Sequence, residues 1–226
     1  MEMNICQYPA IRVNNCGISE IDDNISVEEL FRIYLNDEFI EELTASPSQL
    51  EALGAGHIVC EGLAGSLSGV HVSGTSIDIY AEPCGKIKTP PPRYVTVKKE
   101  DVFHIMNATN SETWRKTGGV HCSVLFSDGK LVAGSEDVGR HNTVDKVVGL
   151  AVLNNIDLSY CVLACTGRQP ATMVFKAANA RIPIVIARSA STDKGIRMAD
   201  QAGVTLVCFA RERRFTVYTH PDRILI

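Results

Sequence analysis

No C-x-x-C pair occurs anywhere in the 226 residues. The eight cysteines therefore lack the spacing of a zinc knuckle. No stretch is long and apolar enough to span a bilayer. Met1 to Cys16 lacks the charged-then-apolar order of a signal peptide. The expectation is a cytoplasmic chain without a membrane partner, its thiols mostly reduced and serving as small apolar core residues. Basic charge is also short. At a net charge of −4, wholesale nucleic-acid binding is not indicated. Walker loops and dinucleotide glycine fingerprints are missing, and Gly54-Ala55-Gly56 falls inside a helical pattern, where it reads as packing. No H-x-E is present, so a zinc deaminase lacks its base and first ligand. No repeat, low-complexity tract or interdomain linker appears.

What is present is a large apolar fraction, 45%, enough for a sizeable core. Residues 1–28 show weak periodicity and are expected to form an irregular lead-in. Phe31, Ile33 and Leu35, then Asn36-Asp37 and Phe39, predict a hairpin. The chain thus divides into a lead-in and hairpin over 1–45 and a main α/β domain over 46–226, forming one structural domain overall. Ser46-Pro47 predicts a helix start, with Ser46 as the cap. A second hairpin turns at Ser73-Gly74-Thr75. Pro83 to Pro92 can continue neither strand nor helix and predicts an exposed loop. A short helix follows over Asp101 to Asn107. Val120 to Phe126 and Lys130 to Ala133 predict a third hairpin around Ser127-Asp128-Gly129, and Asn142 is expected to cap the next helix. Cys161 to Ala164, Ile182 to Ala187 and Val204 to Phe209 read as buried strands. The first two are followed by helices through Met173 and Ala199, and Phe215 to Thr219 reads as a closing strand. Continuous apolar strands alternating with helices imply parallel β-α-β units.

The carboxyl ends of those strands carry Thr166-Gly167-Arg168, Ser189-Ala190-Ser191-Thr192 and Arg211-Glu212-Arg213-Arg214. Ligands of parallel sheets sit beyond such ends. Two of the segments lead into helix N-termini, which suit anions. Arg168, Arg211, Arg213 and Arg214 would add bidentate donors for a phosphate or diphosphate. The plainer alternative is solvated loop charges and ordinary caps. Glu136 to Asn142 is the densest polar run, and it fits a buried salt-bridged turn as well as a functional one. His121-Cys122 is similarly open between a core pair and a functional role. Cys84 is the candidate nucleophile, because it lies in a loop with Lys86 and Lys88 close by, and nearby cations favour a thiolate. On composition alone, an inert surface thiol is the simpler reading. Cys60, Cys161, Cys165 and Cys208 fall in predicted buried elements and are expected to be structural.

Together, Thr117-Gly118-Gly119-Val120-His121, the run from Glu136 to Lys146, and Thr216-Val217-Tyr218-Thr219-His220-Pro221 resemble the formate dehydrogenase accessory sulfurtransferase family. Met173, Val174 and Lys176 with Ile182-Pro183-Ile184 match as well, and Ala45-Ser46-Pro47 with Glu61-Gly62 more loosely. The resemblance implies a cytidine deaminase-like three-layer α/β fold with a mixed sheet, β-α-β units in the C-terminal half, and a homodimer. It implies a sulfur carrier that takes sulfur from a cysteine desulfurase. The acceptor would be the molybdenum bis(molybdopterin guanine dinucleotide) cofactor destined for formate dehydrogenase, bound as substrate, with no permanent metal. It further implies cofactor binding by Phe209, Ala210, Arg211, Glu212, Arg213 and Arg214, to which Arg168 and Ser189 add on the strand-end argument. His121, Arg140 and His141 are possible accessory groups. The family's sulfur-carrying loop typically holds two cysteines as C-x-x-C, and here only Cys84 is present. A cofactor-binding chaperone without sulfur transfer is therefore the alternative reading.

Overall fold

The computed structural model describes residues 4–64, 66–82 and 95–226. In place of an irregular lead-in, the N-terminus forms a regular antiparallel hairpin of β1 (Ile5–Asn14) and β2 (Gly17–Ser26), paired from Ile5↔Ser26 to Asn14↔Gly17. Both faces of this arm are largely solvated, with Val13 71% and Ile18 77% exposed. A strand that buries neither face needs no sequence alternation. Pro9 also argues against a strand, yet a two-stranded ribbon has only edges and tolerates it.

The next unit is a four-stranded sheet, ordered β4-β3-β6-β5, with α1 against it. Its hairpin β3 (Glu29–Leu35) and β4 (Glu38–Ala45) turns at Asn36 and Asp37, as the sequence predicts. Their φ values of 50° and 67° are those of a type I′ turn, which matches strand twist. After α1 (Leu50–Cys60), β5 (Leu67–Ser73) and β6 (Ser76–Ala81) form the second hairpin, and β6 runs parallel to β3. Phe31, Ile33, Ile77 and Ile79 alternate inward and close a core with Leu53 and Ile58 of α1.

Beyond the undescribed stretch come β7 (Val97–Lys98), α2 (Lys99–Asn107) and α3 (Glu112–Thr117). The hairpin β8 (His121–Ser127) and β9 (Lys130–Asp137) leads into α4 (Arg140–Leu153). The predicted alternation then follows: β10 (Cys161–Cys165), α5 (Ala171–Asn179), β11 (Ile184–Ala187), α6 (Asp193–Ala202) and β12 (Thr205–Arg211). The chain closes with β13 (Arg214–Val217) and β14 (Ile224–Leu225), the latter pairing with β7. The six-stranded sheet is ordered β13-β12-β11-β10-β8-β9. β10, β11 and β12 are mutually parallel, and the other pairs are antiparallel. The sheet is therefore mixed, within a mixed α/β architecture.

Alternate strand residues feed two cores. Leu163, Val185 and Leu206 face α4, α5 and α6, while Val162, Ile184 and Val207 face α2. The smaller unit joins the larger through α1 against α4. A Cβ on Gly56 would stand 1.7 Å from Asp145 O, and one on Gly149 1.8 Å from Ala52 O. Only glycine permits this backbone-to-backbone approach, so Gly56 is a packing residue, as expected.

Candidate functional site

A cavity of about 390 Å³ opens where β10 and β11 end and antiparallel β8 begins. This is the strand-end location expected of a ligand site. Thr166, the first residue after β10, ties its floor together. Its N–H donates to Cys122 O at 3.0 Å, and its Oγ1 accepts from Cys122 N–H at 3.1 Å. The same Oγ1 lies 3.1 Å from His121 Nδ1. Ser189 Oγ donates to Thr166 O at 2.8 Å. Arg188 follows β11 as Thr166 follows β10, and it projects into the same cavity. Its Nη2 donates to Asn110 Oδ1 at 3.0 Å, and its buried Nε has no hydrogen-bond partner among the described residues. Across the opening, α3 contributes Trp114 and Arg115. Gly118 ends α3 at φ 67°, and a Cβ on Gly119 would strike Ser26 Oγ at 2.6 Å. The two glycines thus let the base of the arm press against the cavity rim.

Burial, then the charge of Arg140, pushes the His121 pKa below the usual histidine range. A neutral ring beside a guanidinium suits hydrogen bonding to an anionic ligand. Cys122 lines the cavity but is 6% exposed, and burial above all pushes its thiol up to about 12. Burial likewise pushes Cys165 and Cys208 up to about 12 and Cys161 to about 11. Cys60 is fully buried. These four are structural, as the sequence suggests. Cys6 and Cys16, on the arm, are exposed.

The sequence-predicted residues fall in several places. Cys84 and the loop expected around it lie outside the described residues. Phe209 N–H donates to Ser189 O at 3.1 Å, which links the Phe209 to Arg214 segment to the cavity floor through Ser189 and Thr166. Phe209 and Glu212 have φ values of 53° and 58°, and the β12–β13 pairing shifts register between Cys208 and Arg211. Ala210 is buried, while Arg211, Glu212, Arg213, Arg214 and Arg168 are exposed, and none of these lines the cavity. His121 and His141 are not brought together. His141 lines a second cavity, with Nε2 3.2 Å from Thr172 Oγ1. Burial, then Arg140, lowers His141 too, so Arg140 acts on both rings.

The polar run from Glu136 is in large part a buried lock. Asp137 pairs with Lys146 Nζ at 2.5 Å and accepts from Ser46 N–H at 3.0 Å, with both charged side chains fully buried. Asn142 donates to Asp137 Oδ1 at 2.8 Å and to Thr44 O at 2.8 Å. This corrects two expectations. Ser46 does not cap α1, whose cap position is Gln49, and Asn142 does not cap α4, whose cap position is Gly139. The Asn142 side chain and the Ser46 backbone N–H are instead drawn to Asp137, a buried carboxylate that needs every donor it can reach, while Ser46 Oγ accepts from Val138 N–H at 3.2 Å.

Sequence reasoning missed Arg188, Trp114 and Arg115. The strand-end rule would have found Arg188, which directly follows Ala187. The helix carrying Trp114 and Arg115 has only six residues, and its signal was Ser111, whose Oγ accepts from Trp114 N–H at 2.7 Å.

Known proteins share this architecture. The model of the FdhD/NarQ family matches residues 71–225. Protein FdhD of Methanocaldococcus jannaschii is 33% identical over 213 residues, covering 92% of this chain and 93% of that protein. The sulfur carrier protein FdhD of Methanothermobacter thermautotrophicus is 29% identical over 220 residues, covering 86% of this chain and 88% of that one. The crystal structure of a formate dehydrogenase accessory protein from Desulfotalea psychrophila superposes with a TM-score of 0.88 at 29% identity, covering 98% of this chain and 99% of that one.

Proposed function

The chain belongs to the FdhD/NarQ family, and on that premise we propose that it is a cytoplasmic sulfur carrier for the maturation of formate dehydrogenase. The carrying observation is the strand-end cavity, with His121 and Arg188 fixed at its floor and Arg115 at its rim. Its substrate is the molybdenum bis(molybdopterin guanine dinucleotide) cofactor. Arg188 and Arg115 would meet an anionic group of it, and the exposed Arg211, Arg213 and Arg214 would meet its phosphates. The deaminase-like description of the fold and the homodimer belong to this proposal too.

Cys84 is the proposed carrier. A thiol held at about 12 is ionised to only about one part in 10⁵ at neutral pH, so Cys122, in the cavity, is a poor nucleophile. The Cys84 thiolate attacks the outer sulfur of a cysteine desulfurase persulfide, which leaves the donor as a thiolate and Cys84 as a persulfide. Release of that sulfur as sulfide requires a second thiol, which displaces it by forming a disulfide with Cys84. The buried Cys122 favours an external thiol in this step. The test is incubation with a cysteine desulfurase, cysteine and pyridoxal phosphate, followed by peptide mass spectrometry. The expected result is a sulfur adduct on Cys84 that disappears in Cys84→Ala. An adduct on Cys122 instead would move the reacting thiol into the cavity.

A second reading, a cofactor-binding chaperone without sulfur transfer, is favoured by the single cysteine of the loop. No adduct on any cysteine, with an active donor, would establish it over the carrier.

A further inference from the structure

α1 covers one face of the four-stranded sheet, where Ile33, Ile77 and Ile79 are buried. Strand alternation sends Leu30, Tyr34 and Tyr80 to the other face, together with Phe39, the cross-strand partner of Tyr34. Three aromatic rings gather at one end of that face. Tyr34 and Phe39 stand edge to face, with centroids 5.8 Å apart. Tyr80 Oη donates to Asp37 Oδ1 at 3.1 Å, which holds its ring at the β3–β4 turn. Phe39 is 57% exposed and Tyr80 41%. Single exposed apolar side chains are ordinary, but grouped aromatics mark interface cores.

The same end of the sheet is acidic. Asp37, Glu38 and Glu82 are exposed, and Asp78, paired with Tyr34 across β6 and β3, is half-buried. Arg32 is already paired with Glu42 at 2.8 Å, and residues 33–45 and 67–82 contain no lysine or arginine. β3 and β6 are parallel, so the turn that closes β3 lies beside the end of β6, from which the chain continues to Cys84. Tyr80 and Cys84 are four residues apart. At a maximum of about 3.6 Å per residue, covalent geometry keeps Cys84 within about 14 Å of Tyr80, whatever path the chain takes. A protein that delivers sulfur to Cys84 therefore brings its reacting surface close to the aromatic end of the sheet. A basic surface suits the carboxylates that it meets there.

We propose that Tyr34, Phe39 and Tyr80, within their acidic rim, form the docking surface for the sulfur donor, a cysteine desulfurase that presents a basic surface beside its persulfide. The proposal rests on the reading of Cys84 as the sulfur carrier. The test measures binding and sulfur loading separately on the full chain, with a purified cysteine desulfurase of the same organism. Phe39→Arg is compared with Leu30→Arg, which adds the same charge. Leu30 is 50% exposed on the same face. It lies four residues before Tyr34 and so about 13 Å from it. The expected result is binding weakened about tenfold or more in Phe39→Arg, and within about twofold of the unmodified chain in Leu30→Arg. Glutathione persulfide hands its outer sulfur to a thiolate and leaves as the glutathione thiolate. It needs no docked protein, and it should load Cys84 equally in all three chains. Equal weakening in both variants, no weakening in Phe39→Arg, or no binding of the desulfurase to the unmodified chain would overturn the proposal. So would sedimentation in which Phe39→Arg splits a self-associated chain into monomers while desulfurase binding is unchanged, since the face would then belong to a second copy. If the desulfurase binds and Phe39→Arg releases it, yet neither donor places sulfur on Cys84, the docking surface stands and the carrier reading falls.

Discussion

Asp145 and Lys146 are neighbours in α4, so their side chains leave the helix about 100° apart. Each is buried, and each belongs to a lysine–carboxylate pair. Lys146 reaches Asp137 and Ser46 O in a pocket closed to solvent. Asp145 reaches Lys176, which also holds Glu61, beside a cavity. The first pair is a lock: it pins the chain after β4 onto the start of α4. Burial drags Lys146 below the usual lysine range despite Asp137. Burial works on Lys176 in the same direction, yet Asp145 leads the charges that outweigh it and carry it above that range. The same chemistry gives opposite shifts because one ammonium has a single carboxylate and the other has two within reach. Apposing two charges does not by itself say what a site is for. The number of partners and the access to space decide that.

Removing a lysine tests this difference most strongly. Lys146→Ala leaves Asp137 charged in a dry pocket, and the expected loss is about 3–5 kcal/mol of stability. Lys176→Ala strips Asp145 of its main cation, but His57 remains and the cavity can admit water. The expected loss there is smaller, about 2–3 kcal/mol. Urea denaturation of the two variants measures both. An equal loss would erase the distinction between lock and cavity.

Alkaline titration sharpens the comparison with a smaller signal. The folded-state pKa of Lys146 lies below its unfolded value, so between the two the unfolded chain binds more protons. Its contribution to stability therefore rises with pH up to the ordinary lysine range. The folded-state pKa of Lys176 is raised, so its contribution is fully present below the ordinary lysine value and is lost as pH rises through the folded one. Denaturation midpoints across this range should flatten or rise before they fall. In Lys146→Met the early rise should vanish while the late fall stays. A late fall that disappears with it would show that the assignment is wrong.

How far these features were legible in sequence follows from what each buries. β10, β11 and β12 could be read because parallel strands covered on both faces become continuous apolar runs. The arm of β1 and β2 could not, since it covers no core and its alternation carries no constraint. Asn36-Asp37 gave its turn through residues that tolerate positive φ, a local signal. Ser46 and Asn142 gave false cap signals, because their roles are set by Asp137, about ninety residues away from one and five from the other. The strand-end rule reached the cavity floor at Thr166, to whose carbonyl Ser189 donates without itself lining the cavity. It did not supply Arg188, although Arg188 stands at an equivalent position. The pairing of His57 with Asp145 across 88 residues leaves no local trace. Cys84 was singled out from sequence, and it lies outside the described residues.

The smallest effect belongs to Glu61, and it discriminates best. Lys176 Nζ lies 2.9 Å from both oxygens of the nearly inaccessible Asp145 carboxylate and 2.7 Å from Glu61, whose side chain is 36% exposed. Water near Glu61 screens its charge, and a glutamine retains a carbonyl oxygen to accept the same bond. Glu61→Gln should therefore change stability by no more than about 1 kcal/mol, read by urea denaturation beside Lys176→Ala. If Asp145 is the partner that holds the ammonium, the two variants separate clearly. A loss in Glu61→Gln as large as in Lys176→Ala would make Glu61 the dominant partner. The Asp145 carboxylate would then be held chiefly by His57, and the second pair would be organised around the cavity rather than merely beside it.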